Sequence, residues 1–245
     1  MDILILGGGY GTRLFGNYVS KTYYPKGLVE VGHKPCIEHA LGAFSDGLIS
    51  KIFLETNNEG KIFYEHWLET SKYKDKTELL VEPISTPQNC LKILETIDYI
   101  SDNVRFEKPI LVLSPDNFFT KNQDDMIKGY DGGVRIATYT VPTLNDARKY
   151  GVATINSGKI TSCVEKPTQP QSQTIRTSCE IWDSVVFALL HKWNTKHDAN
   201  KVGNFINYLI TEKVDVRSYP VKGFWIDIGD PKSLEEARAN HKRSR

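Results

Sequence analysis

Short apolar runs rich in β-branched residues alternate with segments of helical pattern in the first half of the chain. Residues 3–6, 52–56 and 110–113 predict strands, and residues 35–43 and 61–70 predict helices between them. Strands that alternate with helices favour an α/β fold around a mostly parallel sheet. Strands buried on both faces of such a sheet are continuously apolar, as these runs are.

The second half of the chain is richer in predicted strands. Val202, Phe205, Ile206, Leu209 and Ile210 recur on one face of a helix. Further elements are less regular: strands are predicted at 79–81, 134–141, 152–155, 184–187 and 214–218, helices at 88–100 and 233–240, and a polar surface loop at 168–177.

Composition narrows the class of protein. The 245 residues, of which 40% are hydrophobic, suffice for one sizeable core. A net charge of +1 argues against a partner such as nucleic acid or an anionic membrane surface. No apolar run approaches the roughly 20 residues of a membrane span. The four cysteines are far apart, as is typical of reduced thiols, and we expect a cytoplasmic protein.

A glycine-rich stretch, GGGYGTRL at residues 7–14, follows the first predicted strand. Such loops let backbone N–H groups approach phosphate closely. The third glycine of a dinucleotide fingerprint is replaced by Thr12, and a P-loop Gly-Lys-Ser/Thr is absent. Arg13 and the later Lys26 are cations suited to a polyphosphate. A tight structural turn that binds nothing is the alternative for the glycines alone.

Five motifs in order extend this pattern over nearly the whole chain. After GGGYGTRL come PKGLVEVGHKP (25–35), LVLSPDNFF (111–119), KYGVATINSGKITSCVEKP (149–167) and GFWIDIGDPKSLEEA (223–237). Together they resemble the motifs of the sugar-phosphate nucleotidyltransferases, also called NDP-sugar pyrophosphorylases. A nicotinamide-binding Rossmann protein would explain only the first of them.

The resemblance implies a Rossmann-like, GT-A-like fold: a mixed, mostly parallel sheet flanked by helices, with a smaller acceptor-binding β region. It implies one domain over residues 1–245, with a nucleotide-binding part at 1–120 and an acceptor-binding part, including a second metal-binding aspartate, at 121–245. The implied reaction is Mg²⁺-dependent transfer of a nucleoside monophosphate from a triphosphate to a sugar 1-phosphate or related phosphorylated acceptor. The sequence leaves the oligomeric state open, and a homodimer is compatible with it.

The resemblance also implies site residues. Arg13 and Lys26 would act in catalysis, and Asp116 and Asp227 would bind Mg²⁺. Residues implied to bind the nucleotide are Leu6, Gly7, Gly9, Gly11, Thr12, Arg13, Glu82, Gln88 and Asn89. Residues implied to face the acceptor are Asn117, Gly151, Glu165, Lys166 and Glu180.

Two segments depart from the family pattern. In EPISTPQNCL (82–91), where small residues are usual, Gln88 and Asn89 could read a base edge, since amides both donate and accept, or begin the predicted helix. We favour CTP or a uracil or thymine triphosphate, without a decisive residue. In IRTSCEIWD (175–183), Ser178 replaces a glycine and Glu180 an aromatic residue. Glu180 could be the counter-charge of an amino sugar, or of a non-sugar phosphate or phosphonate that carries an amine, or it could pair structurally with Arg176.

Two other functions compete. A glycosyltransferase of related architecture would show an Asp-x-Asp metal motif, and Asp116-Asn117 is not one. A catalytically silent nucleotide-binding homologue would be expected to lose key charges, yet Arg13, Lys26, Asp116 and Asp227 are all present.

Overall fold

The computed structural model describes residues 1–15, 23–83 and 89–243. Within them, the strands in chain order are β1 Asp2–Leu6, β2 Glu30–Val31, β3 Lys34–Pro35, β4 Ile52–Thr56, β5 Thr77–Val81, β6 Ile110–Leu113, β7 Asn117–Phe119, β8 Val134–Thr140, β9 Gly151–Asn156, β10 Lys159–Glu165, β11 Thr174–Trp182, β12 Val216–Pro220 and β13 Trp225–Asp227. The helices are α1 Thr12–Phe15, α2 Cys36–Gly42, α3 Asn58–Thr70, α4 Ile93–Val104, α5 Asp124–Lys128, α6 Leu144–Ala147, α7 Val185–Asn194, α8 Val202–Thr211 and α9 Pro231–Arg243.

Two compact units share the chain. The first comprises residues 1–90, 112–124 and 222–245, and the second comprises residues 91–111 and 125–221. The predicted division of a single domain at residues 120 and 121 stays a prediction. Among the described residues, no helix is both long enough and apolar enough to cross a membrane.

The first unit contains strands in the order β5–β4–β1–β6, of which β6 contributes only its last two residues. β1 pairs with β4 in parallel, Leu6 opposite Glu55, and β4 pairs with β5 in parallel. β4 and β6 are buried throughout, and all of their residues except Glu55 and Thr56 of β4 are apolar. α3 begins directly after β4, because the Asn57 side chain caps it by accepting from the Gly60 N–H at 2.7 Å.

A second apolar layer of this unit supports the strand pair β7–β13. Leu14 of α1, Phe118 of β7 and Ile228 after β13 belong to one buried cluster. Ala237 of α9 packs into the same cluster. The antiparallel pairing of β7 with β13 places Asp227 opposite Asn117. This packing fixes the strand ends at which both predicted metal-binding aspartates lie.

The second unit contains a mixed sheet with the order β11–β8–β12–β10–β9. β8 and β12 are parallel, whereas β9 and β10 form an antiparallel hairpin. α8 packs on β10, and its buried residues include four of the five predicted from the periodicity. α4 likewise buries Leu94, Ile97 and Ile100 as predicted, although it begins at Ile93 rather than residue 88.

Three predictions from local pattern are wrong in detail. Residues 184–187 form no strand, because they enter α7, whose buried face continues through Val186, Phe187 and Leu190. The polar segment 168–177 is not a loop throughout, because β11 begins at Thr174 and pairs with β8. The strand predicted at 214–218 lies two residues later, at Val216–Pro220.

Candidate active site

Asp116 and Asp227 are brought together by the β7–β13 pair. Asp116 lies in the turn between β6 and β7, and Asp227 is the last residue of β13. The Ile228 N–H donates to the Asp116 carbonyl oxygen at 3.0 Å, and a hydrogen bond links the two carboxyl groups. Asp116 is only 3% exposed. Two residues far apart in sequence therefore form one carboxyl pair.

Lys26 and Arg13 bring positive charge to this pair. Lys26 begins a short 3₁₀ turn, Lys26–Leu28, and its ammonium forms an ion pair with Oδ2 of Asp116. A Cβ placed on Gly229 would lie 3.2 Å from Asp227 Oδ2 and 3.5 Å from Arg13 Nη2. The absence of a side chain at Gly229 thus leaves the guanidinium close to the second carboxyl group. Four predicted site residues converge here, and we call them the charged cluster.

Burial and neighbouring charges set the ionisation of the charged cluster. Burial and the adjacent Asp116 carboxylate raise the pKa of Asp227 to about 7. Burial also disfavours ionisation of Asp116, but the Lys26 ammonium and hydrogen bonds to the carboxyl group together outweigh it and hold the pKa of Asp116 below its ordinary value. For Lys26, burial opposes the charge, and Asp116 and Asp227 together raise its pKa nonetheless. Near neutral pH the carboxyl pair therefore carries more negative charge than Lys26 alone neutralises.

Carboxylate oxygens are the donors that a hard divalent cation prefers. Burial first, and repulsion from Asp116 second, raise the pKa of Asp227, and a cation between the two carboxyl groups would relieve this repulsion. The donor set at Asp116 and Asp227 therefore fits Mg²⁺.

The glycine stretch is not uniform in the structure. Gly7 and Gly8 are buried, and a Cβ on either would lie within 3 Å of β4 or α3 atoms. Gly9 is exposed, and a Cβ there would meet nothing within 4 Å. Gly11 has a φ of +61° and its carbonyl accepts from the Leu14 N–H. Of these glycines, Gly9 is therefore the one with open space around it, and the next residue, Tyr10, is buried again.

The other predicted nucleotide residues are distributed around β1 and β5. Leu6 ends β1, and Glu82 follows β5, buried, with its N–H donating to the Thr56 carbonyl. Asn89 is exposed and precedes α4 by four residues, so it does not begin that helix. Gln88 and the side chain of Thr12 lie outside the described part of the chain.

Asn117 is buried beside the charged cluster. Its Oδ1 accepts from Trp225 Nε1 at 2.5 Å, and its Nδ2 donates to the Ser114 carbonyl at 3.1 Å. Both ends of this amide thus hold β7, β13 and the turn before Asp116 together. The predicted contact with the acceptor stays a prediction.

Three predicted acceptor residues lie at one end of the β9–β10 hairpin in the second unit. Gly151 pairs with Glu165, and the Lys166 N–H donates to the Tyr150 carbonyl. Lys166 has a φ of +44°, a left-handed conformation that costs energy in a residue other than glycine. Glu165 Oε2 accepts from the Gly203 N–H in the first turn of α8 at 3.2 Å.

Glu180 is engaged by other side chains of the second unit. Its Oε1 accepts from Arg176 Nε at 2.7 Å and pairs with Nη2, and its Oε2 accepts from Trp182 Nε1 at 2.9 Å. Glu180 is 1% exposed. Neither oxygen lacks a donor, which matches the structural pairing that the sequence left open. Nearby Ser178, in the glycine position, has a φ of +56° at a bulge between β11 and β8.

Sequence reasoning missed two residues beside the glycine stretch, Glu55 and Asn57. Both are buried at the carboxyl end of β4 and bind the backbone of Gly8. Their position in the sequence could have indicated them. Both are polar residues at the carboxyl end of β4, the strand beside β1, and α/β sheets bind ligands at the carboxyl ends of their strands.

Comparison with known proteins adds independent information. A family model described as nucleotidyl transferase matches residues 3–244. The chain is 24% identical over 241 residues to the UTP–glucose-1-phosphate uridylyltransferase of Haloferax volcanii, covering 97% of this chain and 95% of that protein. It is 29% identical to the mannose-1-phosphate guanyltransferase of Saccharomyces cerevisiae, covering 96% of this chain and 63% of that protein.

Solved structures give the same class of fold. A Bacillus anthracis protein named as a candidate glucose-1-phosphate thymidylyltransferase superposes with a TM-score of 0.83 at 23% identity, covering 98% of this chain and 95% of that one. A UDP-glucose pyrophosphorylase superposes with a TM-score of 0.80 at 18% identity, covering 100% of this chain and 99% of that one. At these identities the likeness shows the fold alone, and it confirms the predicted GT-A-like mixed α/β class.

Proposed function

Because the chain belongs to the nucleotidyl transferase family, we propose that it transfers a nucleoside monophosphate from a triphosphate to a sugar 1-phosphate and releases pyrophosphate. The observation that carries the proposal is the charged cluster, in which Arg13, Lys26, Asp116 and Asp227 meet beside the glycine stretch. The named activities of the relatives, uridylyl and guanyl transfer to sugar 1-phosphates, support this acceptor class.

The reaction needs no general base, because the acceptor phosphate is already an anion. One of its oxygens forms a bond to the α-phosphorus while the bond from that phosphorus to the bridging oxygen breaks, and pyrophosphate leaves with the electron pair. Repulsion between anions and charge on the leaving pyrophosphate are the main obstacles. Arg13 and Lys26 are proposed to offset both, and the N–H groups from Gly9 onward to cradle the leaving phosphates.

Asp116 and Asp227 are proposed to hold Mg²⁺, which when bound neutralises phosphate charge and orients the triphosphate. In this arrangement the Lys26 ammonium, now paired with Asp116, is placed to contact phosphate oxygens as well. The acceptor is proposed to bind near Gly151, Glu165 and Lys166. The left-handed conformation of Lys166 is the kind of local strain that persists at functional sites.

The decisive experiment measures pyrophosphate release. The purified chain is incubated with ATP, CTP, GTP, UTP or dTTP and with glucose, mannose or galactose 1-phosphate, with and without Mg²⁺. We expect release with at least one pair and none after chelation. We expect Lys26→Met to lower kcat by about 100-fold or more, as loss of a transition-state donor does, whereas Lys61→Met on the surface of α3 leaves it unchanged. Absence of release from every pair, with nucleotide still bound, would favour the silent homologue instead.

A further inference from the structure

The carboxyl end of β4 holds the first half of the glycine stretch from behind. The Gly7 N–H donates to the Glu55 carbonyl at 2.9 Å, and the Gly8 N–H donates to Glu55 Oε2 at 3.1 Å. Asn57 Nδ2 donates to the Gly8 carbonyl at 2.7 Å. Both polar backbone groups of Gly8 are therefore bound by β4 and the residue after it, immediately before the exposed Gly9.

The Glu55 carboxyl group packs so closely on Gly8 that no side chain fits between them. A Cβ on Gly8 would lie 2.2 Å from Glu55 Oε1, so only glycine fits beneath this carboxyl group. Tyr64 of α3 completes the enclosure, with its hydroxyl 3.5 Å from the Gly7 carbonyl. The peptide that enters the exposed turn is thereby fixed by a buried side chain rather than by the loop's own hydrogen bonds.

Glu55 lacks the compensation that a buried carboxylate usually needs. It is 3% exposed, its Oε1 has no hydrogen-bond donor among the described residues, and no cation in that part of the chain forms an ion pair with it. The charged group that acts on it is Glu82, another acid. An uncompensated buried carboxylate is costly, and such groups take up a proton instead.

We propose that Glu55 is a positioning residue for triphosphate binding, whose carboxyl group fixes the Gly8 peptide so that the turn from Gly9 onward presents its N–H groups to phosphate. This inference rests on the proposed function for the identity of the anion. Glu55 touches the loop and not the reacting atoms, so its effect falls on nucleotide affinity.

The surroundings of Glu55 favour the uncharged form of its carboxyl group. An ionised Glu55 behind the loop would repel a bound polyphosphate, whereas the protonated carboxyl still offers Oε2 to Gly8. Burial first, and Glu82 second, raise the pKa of Glu55 to about 8. Among the described residues, the Tyr64 phenol also faces Glu55, and it stays neutral because burial raises its pKa well above the ordinary value. Near pH 8, where about half of the Glu55 carboxyl groups are already protonated, anion binding should therefore draw up to about half a buffer proton onto this group.

Titration calorimetry with inorganic tripolyphosphate and Mg²⁺ tests this without knowledge of the base. Measurements at pH 7 and 8, each in two buffers of different ionisation enthalpy, give affinity and protons taken up. We compare wild type with Glu55→Gln, Glu55→Ala and the control Glu78→Gln, an exposed carboxylate on the neighbouring strand β5.

We expect Glu55→Gln to bind within about threefold of wild type at pH 7, because the amide oxygen still accepts from Gly8. Glu55→Ala should bind about 10-fold or more weakly, because a buried N–H loses its acceptor. Wild type and Glu78→Gln should take up more protons at pH 8 than Glu55→Gln, by up to about half a proton.

Equal proton uptake by wild type and Glu55→Gln, wild-type affinity in a folded Glu55→Ala, or failure of wild type to bind tripolyphosphate would each overturn the inference. Tripolyphosphate binding with the expected differences, but no pyrophosphate release from any triphosphate, would instead refute the proposed function and leave the role of Glu55 intact.

Discussion

Replacing Glu180 with glutamine distinguishes a structural ion pair from a counter-charge for an amine-bearing acceptor. In the structure, the side chains of Arg176 and Glu180 are 9% and 2% exposed and share two close contacts. Glutamine preserves the shape but leaves a buried guanidinium without its anion. Removing one partner of such a pair costs about 3–5 kcal/mol of the free energy of unfolding. For a chain of this size that corresponds to a fall in Tm of about 6–20 °C.

Chemical denaturation and calorimetry measure the loss, with Glu78→Gln as the matched control. Glu78 pairs with Lys51 where both side chains are about half exposed, so its loss should cost less than about 1 kcal/mol. The double variant Arg176→Met with Glu180→Met should recover much of the stability, because no buried charge remains. A loss below about 1 kcal/mol for Glu180→Gln would refute the structural reasoning. So would a changed preference between neutral and amine-bearing acceptors in a variant of unchanged stability.

The structure sets three further expected outcomes. Glu55 binds its proton up to about pH 8 when folded but only to about pH 4.5 when unfolded. The free energy of unfolding should therefore fall with rising pH across that interval. The fall should be steeper in wild type than in Glu55→Gln by about 1.4 kcal/mol per pH unit. Equal slopes of the two proteins in denaturation at pH 5, 6 and 7 would contradict this. Gly8→Ala should unfold at a lower temperature than Gly9→Ala, because only a Cβ on residue 8 collides with Glu55. A Gly9→Ala variant with both wild-type Tm and wild-type KM for nucleotide would argue against a phosphate-binding turn at Gly9. Lys213→Gly should raise the free energy of unfolding by up to about 1 kcal/mol, because Lys213 follows α8 with a φ of +66°, which glycine adopts more easily. The N–H groups of Lys213 and Val214 donate to the last carbonyls of the helix and hold this conformation. A lower Tm would refute this prediction.

The fold could be predicted where one physical effect dominated the local sequence. α8 and α4 were predictable because their apolar residues recur with the period of a helix and are buried on one face. The residue pattern did not show where β11 begins, because this strand buries Arg176 and Glu180, whose pairing the sequence does not display. At residues 184–187, β-branched residues suggested a strand, but burial of Val186, Phe187 and Leu190 on a helix face outweighed that preference.

The residues of the charged cluster could be predicted from the sequence because each of them lies in a motif that resembles one of the family, and these motifs occur in the family's order. Only the structure could show that Asp116 and Asp227 share a hydrogen bond and that Lys26 is committed to one of them. The functional roles of these residues rest on the proposals above.

The glycine stretch shows why a motif alone underdetermines a site. Sequence reasoning assigned Gly7, Gly9 and Gly11 alike to phosphate, since each could bring an N–H close to an anion. In the structure the Gly7 and Gly8 N–H groups are already bound by Glu55, so they cannot also be donors to a ligand without releasing β4. Their lack of side chains serves close packing against β4, while Gly9 keeps its surroundings open. Phosphate affinity should therefore depend on residues from Gly9 onward for contact and on the end of β4 for the rigidity of that contact.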